Sequence, residues 1–205
     1  MESYITIKRY ASFEYEDRKS VFIAEAAPVS TEKEAIDFIN AVKKRYPDAK
    51  HHVYAYVLRE NHTMRFSDDR EPQGTAGLPV LDAIRKRGCT DTVVVVTRYF
   101  GGTLLGTGGL VHAYSTSAVG AITSAEVVCY DVYTELEISL SYSDYQKIIT
   151  SLTEWGFREE NTDYGEDVSI SGTILSKKAS GLTDAIVQLT SARASVKILS
   201  DKYGF

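Results

Sequence analysis

Residues 93–109 read Val93-Val94-Val95-Val96-Thr97-Arg98-Tyr99-Phe100-Gly101-Gly102-Thr103-Leu104-Leu105-Gly106-Thr107-Gly108-Gly109. Four consecutive valines without polar alternation predict a strand that is buried on both faces. Five glycines follow, and beyond them one apolar face recurs at helical spacing, formed by Leu110, Ala113, Tyr114, Ser117, Ala118, Ala121 and Ile122. The stretch therefore predicts a central strand, a tight turn and a helix that packs closely on a sheet.

Helices and strands are also predicted upstream of this stretch. Thr31 and Glu34 form a capping box that starts a helix, which ends at Tyr46-Pro47. Residues 4–8, 20–27, 53–58 and 63–67 are predicted strands, the last two joined across residues 60–62. The acidic loop (residues 68–77) then leads into a second helix with Pro79 in its first turn.

From Tyr133 onward a second pattern begins. Residues 134–140 alternate as a half-buried strand, and Ser143 is the predicted cap of a helix that runs to Trp155. Strands over residues 157–164 and 168–175, a helix around 182–189 and a strand over 196–199 follow. This β-α-β-β-α-β order is the ferredoxin-like arrangement. We therefore predict an α+β protein with two domains, residues 1–132 and residues 133–205.

Charge and composition limit the choice of partners. The chain has 205 residues and a formal net charge of -5, which argues against a general polyanion binder. Residues 1–132 hold 16 basic and 17 acidic side chains, whereas residues 133–205 hold 7 and 11. A nucleic-acid contact needs a local basic patch, which the first domain is better able to supply. No signal peptide or membrane-spanning run is visible, so we expect a soluble, cytoplasmic protein without a membrane partner.

The glycine segment (residues 101–109) is the strongest candidate site. Amides at the start of a helix, aided by the helix dipole, form an anion site, which Arg98, Thr103 and Thr107 could complete. The alternative is a structural turn, and the residues alone leave both open. A P-loop is excluded because Thr107 stands where lysine is needed, and a dinucleotide fingerprint because Val111 replaces its third glycine.

The acidic loop offers three carboxylates, on Asp68, Asp69 and Glu71. They could bind a hard cation or position a water molecule; the alternative is an exposed acidic turn balanced by Arg65 and Arg70. His51 and His52 are adjacent in a strand, so they should face opposite sides of the sheet. No catalytic constellation emerges, and we predict no metal and no cofactor.

Both loops carry a family resemblance. The blocks Asp68-Asp69-Arg70-Glu71-Pro72-Gln73-Gly74-Thr75-Ala76-Gly77-Leu78-Pro79 and residues 97–114 resemble the YigZ/IMPACT family. The resemblance implies a first domain like the second domain of a small-subunit ribosomal protein, an α/β sandwich, and a second domain like the last domain of elongation factor G. Eukaryotic members regulate translation initiation by competing for a protein partner in a kinase pathway, and RNA or ribosome binding has been proposed for bacterial members.

This sequence departs from the family pattern at three positions near the two loops. Arg70 stands where glycine is expected, Leu104 where many members have lysine, and His112 where arginine is common. The last two changes remove cations beside the glycine segment, which bears on whether it binds phosphate.

We therefore expect a noncatalytic binding protein linked to translation, in contact with RNA, the ribosome or a translation-related protein. The alternatives are an enzyme for a small phosphorylated or acyl substrate in a cleft between the two loops, with Asp69 or Glu71 as base, and an acidic second domain that engages a basic protein. The oligomeric state stays open. The predicted binding residues are Asp69, Glu71, Gly74, Thr75, Arg98, Tyr99, Gly101, Gly102, Thr103, Gly106, Thr107, Gly108 and Gly109.

Overall fold

The computed structural model describes residues 2–205 as two compact units. The first unit is formed by Tyr4–Cys129 and the second by Tyr130–Phe205 together with Glu2 and Ser3. Each unit contains strands and helices around its own hydrophobic core. The predicted α+β class with two domains is thereby confirmed. None of the helices within residues 2–205 has the length and apolar character that crossing a membrane requires.

The first unit is built around an antiparallel sheet. Its elements are β1 (Tyr4–Ile7), β2 (Ala11–Asp17), β3 (Ser20–Pro28), α1 (Glu32–Arg45), β4 (His51–Val57), β5 (Met64–Ser67), α2 (Gly77–Lys86), β6 (Thr92–Tyr99) and α3 (Gly106–Ser124). Five of these strands form the sheet, in the order β2-β3-β6-β4-β5. A single 3-10 turn, Glu60–His62, joins β4 to β5.

Strand β6 lies at the centre of that sheet and is covered on both sides. Val93 and Val95 join the cluster that packs against α1, whereas Val94 and Val96 join the cluster formed with α2 and α3. The prediction of a strand buried on both faces is confirmed. The buried side chains of α3 are the seven that helical spacing indicated. Small residues among them allow α3 to approach the sheet closely.

Strand β2 was not predicted. Its side chains alternate between two environments: Ala11, Phe13 and Tyr15 pack against the core, whereas the residues between them face outward. The high acidic content of an edge strand obscured this pattern in the sequence. Gly120 in α3 accommodates the strand, since a Cβ atom at that position would lie 2.3 Å from the ring of Phe13.

The second unit has the predicted strand and helix order. Its elements are β7 (Val127–Leu140), α4 (Tyr142–Glu154), β8 (Arg158–Tyr164), β9 (Val168–Leu175), α5 (Ser176–Thr190) and β10 (Ser195–Gly204). The pairings of β10 with β7, β7 with β9 and β9 with β8 are all antiparallel. This order, 4-1-3-2 when the four strands are counted along the chain, completes the β-α-β-β-α-β arrangement.

The cap of α4 differs from the prediction. Ser141, not Ser143, is the N-cap residue; it has extended backbone angles and its hydroxyl accepts a hydrogen bond from the amide of Asp144. Both serines precede the apolar stripe, so spacing alone did not distinguish them. The last strand also extends well beyond the predicted residues 196–199, to Gly204.

A buried aspartate fixes the ends of the two helices in this unit. The Asp144 carboxylate accepts hydrogen bonds from Arg193 Nε at 2.9 Å, from Arg193 Nη2 at 2.7 Å and from Lys147 Nζ at 2.6 Å. It thereby ties the first turn of α4 to the segment that follows α5. Arg193, and then Lys147, lower the pKa of the Asp144 carboxyl well below its ordinary value.

We expect Asp144→Asn to lower the Tm of the protein at neutral pH. Because the folded-state pKa is depressed, the stabilisation is present above the unfolded value of about 4 and is lost as the pH falls below it. The difference in Tm between wild type and variant should therefore shrink on acidification. Thermal melts followed by circular dichroism between neutral and acidic pH measure this. Asp184→Asn, an exposed change on α5, is the control, and an equal effect of both changes would contradict the account.

Candidate functional site

A buried ionic cluster connects the acidic loop to the sheet and to α3. Glu71 Oε1 accepts a hydrogen bond from Arg98 Nη1 at 2.7 Å and another from the Tyr114 hydroxyl at 2.8 Å. Only 8% of Glu71 and 6% of Arg98 is exposed. Burial, and then the Glu71 carboxylate, raise the pKa of Tyr114 above its ordinary value, so the phenol stays protonated and donates. Glu71 and Arg98 are thus brought together, as a structural pair.

The other two carboxylates of the loop are also engaged by the protein. Asp68 accepts hydrogen bonds from the amides of Gly74, Ala76 and Gly77, and so occupies the N-terminus of α2. Asp69 Oδ2 accepts from the amide of His52 at 2.6 Å. The interpretation of the loop as an exposed acidic turn is wrong for Glu71, because tertiary contacts with β6 and α3 bury it.

Histidines 51 and 52 face opposite sides of the sheet, as strand alternation predicted. His51 Nε2 lies 4.0 Å from Glu71 Oε1, and His52 Nε2 lies 3.0 Å from the Tyr46 carbonyl oxygen near the end of α1. Strand alternation also places the side chains of Arg98 and Tyr99 on opposite faces of the sheet. The Tyr99 hydroxyl donates to Asp48 Oδ1 at 2.9 Å, and burial, followed by this carboxylate, raises the pKa of Tyr99.

At most positions of the glycine segment, the local structure explains why the residue is glycine. A Cβ atom on Gly101 would lie 2.0 Å from the Lys19 carbonyl carbon, so only glycine allows this contact with the turn between β2 and β3. Gly102 and Gly106 have φ values of 87° and 71°, in the left-handed region. A Cβ atom on Gly109 would meet Leu105 at 3.0 Å. The structural alternative therefore accounts for four of the five glycines.

Gly108 is the exception. Its φ is not positive, and a Cβ atom there would meet no heavy atom of the described residues within 4 Å. Together with Gly106 and Thr107 it forms the first three residues of α3, all exposed. The N-cap residue, Leu105, makes no side-chain capping hydrogen bond, and the first turn contains no acidic residue. Three amides at the positive end of the helix dipole therefore face solvent.

A basic turn lies directly beside the glycine segment. Asp17 pairs with Ser20, which leaves Arg18 and Lys19 as a two-residue hairpin loop, with φ values of 47° and 65°. Such loops favour asparagine and glycine, and each ordinary residue in the left-handed region costs about 1 kcal/mol. Arg18 Nη1 donates to the carbonyl oxygen of Leu104 at 3.4 Å. Sequence reasoning missed this turn because it missed β2.

Phe100 and Leu104 add exposed apolar surface to the same region. Phe100 is 52% exposed and Leu104 is 81% exposed. The Arg98 guanidinium carbon lies 5.6 Å from the centre of the Phe100 ring, so this ring is on the side of the sheet that carries Arg98. Thr103 and Thr107 are exposed as well. In the sequence, the signal that could have identified Phe100 as a candidate site residue is strand alternation, which places it on the same side as Arg98.

The three departures from the family pattern have distinct positions. Arg70 has a φ of 72°, which explains why glycine suits that position, and its Nη2 donates to the Lys50 carbonyl oxygen at 2.5 Å. Among the described residues, no contact brings the Arg70 side chain to the amides of the glycine segment. His112 is exposed and lies edge-on to Tyr15, with ring centres 6.3 Å apart.

The acidic loop and α3 also border a small cavity of about 190 Å³. Gly74 lies on its loop side, and Val111 and Ser115 on its helix side. Neither Asp69, Glu71 nor the amides of the glycine segment line it. Thr75, within the loop, is buried and its hydroxyl donates to the Pro72 carbonyl oxygen at 2.6 Å. No set of three His, Cys, Asp or Glu side chains within residues 2–205 is arranged to hold a metal ion.

Comparison with known proteins identifies the relatives of this chain. Residues 18–122 match the family model of the Impact N-terminal domain, which spans both the basic turn and the glycine segment. "IMPACT family member YvyE" of Bacillus subtilis (strain 168) is 37% identical over 198 residues, covering 96% of this chain and 91% of that protein. The chain belongs to the IMPACT family.

Other members of the IMPACT family match over different lengths. "IMPACT family member YigZ" of Escherichia coli (strain K12) is 30% identical over 203 residues, which cover 98% of this chain and 98% of that protein. "Protein IMPACT" of Xenopus laevis is 34% identical over 94 residues, which cover 44% of this chain and 30% of that protein. A crystal structure described as that of a hypothetical protein covers 98% of both chains, with 29% identity and a TM-score of 0.61.

Removing Arg98 should affect folding rather than only ligand binding. We expect Arg98→Ala to lower the free energy of unfolding by about 3–5 kcal/mol, because it leaves the buried Glu71 carboxylate without its cation. Tyr114→Phe should cost about 1 kcal/mol, since Glu71 then keeps one of its two donors. Urea denaturation measures both. Arg70→Ala, in the same loop but exposed, should change stability by less than about 0.5 kcal/mol; a destabilisation as large as that of Arg98→Ala would refute the assignment.

Proposed function

We propose that this chain is a noncatalytic binding protein of the translation apparatus and that it contacts RNA, on the ribosome or in its vicinity. The observation that carries the proposal is the binding surface formed by the basic turn, Phe100 and the exposed amides of residues 106–108. Membership of the IMPACT family supports the link to translation, since the resemblance implies such a role for its members. We further propose that the protein acts in the cytoplasm.

The chemistry of this binding surface suits a nucleic-acid strand. Backbone amides at a helix N-terminus and the side chains of Arg18 and Lys19 are phosphate ligands. An exposed phenylalanine ring supports base stacking, which is the common mode of single-stranded RNA recognition. The strained turn is consistent with this role, because residues held in costly backbone conformations cluster at binding sites. The amides supply a phosphate contact that does not depend on the lysine replaced by Leu104.

The sheet of the second unit is a weaker candidate for RNA. Ferredoxin-like RNA-binding domains stack bases on aromatic residues in the two central strands. Here Leu136 and Ile138 of β7 are buried, so Glu135 and Glu137 point to the opposite face. The partners of these two carboxylates on β9 are Thr173 and Ser171. Tyr133 shares that face, but the Arg158 guanidinium carbon lies 4.9 Å from the centre of its ring. The two carboxylates on that face disfavour a phosphate backbone.

An enzymatic role has less support from the geometry. The alternative function needs Asp69 or Glu71 as a base that can reach a substrate. Glu71 is buried and accepts two hydrogen bonds, and Asp69 accepts one from the backbone of β4. Both carboxylates contribute to holding the loop in place. We therefore propose recognition, and not catalysis, as the role of the protein.

We expect Gly108→Ala to weaken RNA binding without destabilising the protein. An added methyl group fits the open space around Gly108, and alanine favours a helix by up to about 1 kcal/mol, but it obstructs the approach of a phosphate to the amides. Gly181→Ala in α5 is a matched control, because that helical glycine is equally open. Fluorescence anisotropy with labelled single-stranded RNA and with purified ribosomes measures affinity. Equal affinities of the two variants would count against the proposed surface.

Neutralising the basic turn should reduce the salt dependence of binding. For Arg18→Gln with Lys19→Gln, the slope of log affinity against log salt should fall by about 0.7 for each phosphate of single-stranded RNA that the variant no longer neutralises. Lys177→Gln with Lys178→Gln removes an equal, adjacent and exposed pair from α5 and serves as the control. If the wild type binds neither RNA nor ribosomes at low salt, the proposal fails; binding only to a translation protein would replace RNA with that partner.

A further inference from the structure

Three tyrosines form a cluster on the helix side of the second unit, in which two rings are exposed and that of Tyr145 is half-buried. This tyrosine surface consists of Tyr142 and Tyr145 in the first turns of α4 and Tyr164 at the end of β8. The rings of Tyr142 and Tyr164 are stacked, with centres 6.5 Å apart and 25° between their planes. Tyr145 meets Tyr164 edge-on at 6.0 Å. The three rings therefore make one continuous aromatic patch.

The hydroxyl groups of this patch are engaged, which leaves its ring surface for contacts. The Tyr142 hydroxyl donates to the Gly165 carbonyl oxygen at 2.9 Å, and the hydroxyls of Tyr145 and Tyr164 lie 3.1 Å apart. Tyr164 is nevertheless 60% exposed and Tyr142 is 47% exposed. Anchoring the β8–β9 turn to α4 explains the hydrogen bonds but does not require exposed rings. Rigid tyrosines offer contact area at a small entropy cost.

The β8–β9 hairpin that carries Tyr164 is acidic. Residues 158–167, which comprise β8 and the turn to β9, contain Arg158 as their single basic residue and five acidic ones, namely Glu159, Glu160, Asp163, Glu166 and Asp167. The Glu160 carboxylate forms a salt bridge with Lys202. Charges on an edge strand protect it against aggregation, but that role accounts for either sign of charge and not for the adjacent aromatic patch.

We propose that the tyrosine surface and the carboxylates of the β8–β9 hairpin form a docking surface for an arginine-rich segment of a protein partner. A guanidinium group stacks on tyrosine rings and pairs with carboxylates, and it is less strongly hydrated than a lysine ammonium group. The tyrosine rings and the carboxylates thus both suit an arginine side chain. The same negative charge repels a phosphate backbone, so this surface does not serve RNA. The inference is independent of the proposed function, which concerns the first unit.

The direct test measures binding of a fluorescein-labelled peptide of alternating arginine and glycine to the full chain at low salt. We expect Tyr142→Leu and Tyr164→Leu each to weaken binding about two- to fivefold, because leucine keeps an apolar side chain but lacks the ring. Tyr164→Phe keeps the ring and should retain wild-type affinity. The corresponding lysine peptide should bind more weakly than the arginine peptide. Thermal melts of each variant establish that it is folded.

The charge requirement is tested separately. Glu166→Gln with Asp167→Asn should weaken binding of the arginine peptide and reduce its salt dependence. Glu14→Gln with Glu16→Gln removes two exposed carboxylates from β2 in the first unit and should leave binding unchanged. Equal binding by both double variants, or by the leucine variants and wild type, overturns the proposal. Displacement of the arginine peptide from the wild type by the same peptide with glutamate in place of arginine also overturns it.

Discussion

The Glu71 carboxylate accepts hydrogen bonds from two elements that are distant from it in sequence, β6 through Arg98 and α3 through Tyr114. A carboxylate with so little exposure would be very costly without these partners, so the acidic loop has to lie where both donors reach it. Asp68 of the loop in turn accepts hydrogen bonds from the first amides of α2, and Asp69 accepts one from the His52 amide at the start of β4. One buried ion pair therefore fixes the connection between the sheet and the two helices that cover its face.

This arrangement explains why the carboxylates of the family block and the glycine segment have different roles. The carboxylates of the acidic loop accept hydrogen bonds from amides and side chains of the protein itself, whereas the first three residues of α3 are exposed. The proposed recognition surface then consists of backbone groups and the neighbouring hairpin turn, which the packing of Gly101 against Lys19 holds close to the segment. Rigid support of an open surface is what a binding role requires.

The two units differ in the kind of partner that their surfaces suit. The first unit presents cations and helix amides next to an exposed phenylalanine, which is the combination that binds phosphate and bases. The second presents stacked tyrosines among carboxylates, the combination that binds guanidinium groups. The chain is nearly neutral up to residue 132 and acidic beyond it, which agrees with an acidic surface on the second unit.

The sequence by itself determined the layered architecture, because hydrophobic periodicity reports which side of an element is buried. It placed Val93–Val96 between two layers, identified the buried stripe of α3 from spacing alone and specified the β-α-β-β-α-β order of the second unit. It also placed His51 and His52 on opposite faces, since alternation in a strand is a local property. The family blocks were visible for the same reason, as continuous segments.

Only the tertiary structure decided what the polar residues do. Whether Glu71 is exposed or buried depends on contacts with Arg98 and Tyr114, and no local pattern encodes a contact across 27 or 43 positions. The same holds for Gly101, whose requirement for glycine comes from the Lys19 backbone, and for the acidic strand β2, which is stable only as the partner of β3. Local periodicity fixes the apolar layers, whereas charge pairing and close approach are set by residues that meet only after the chain has folded.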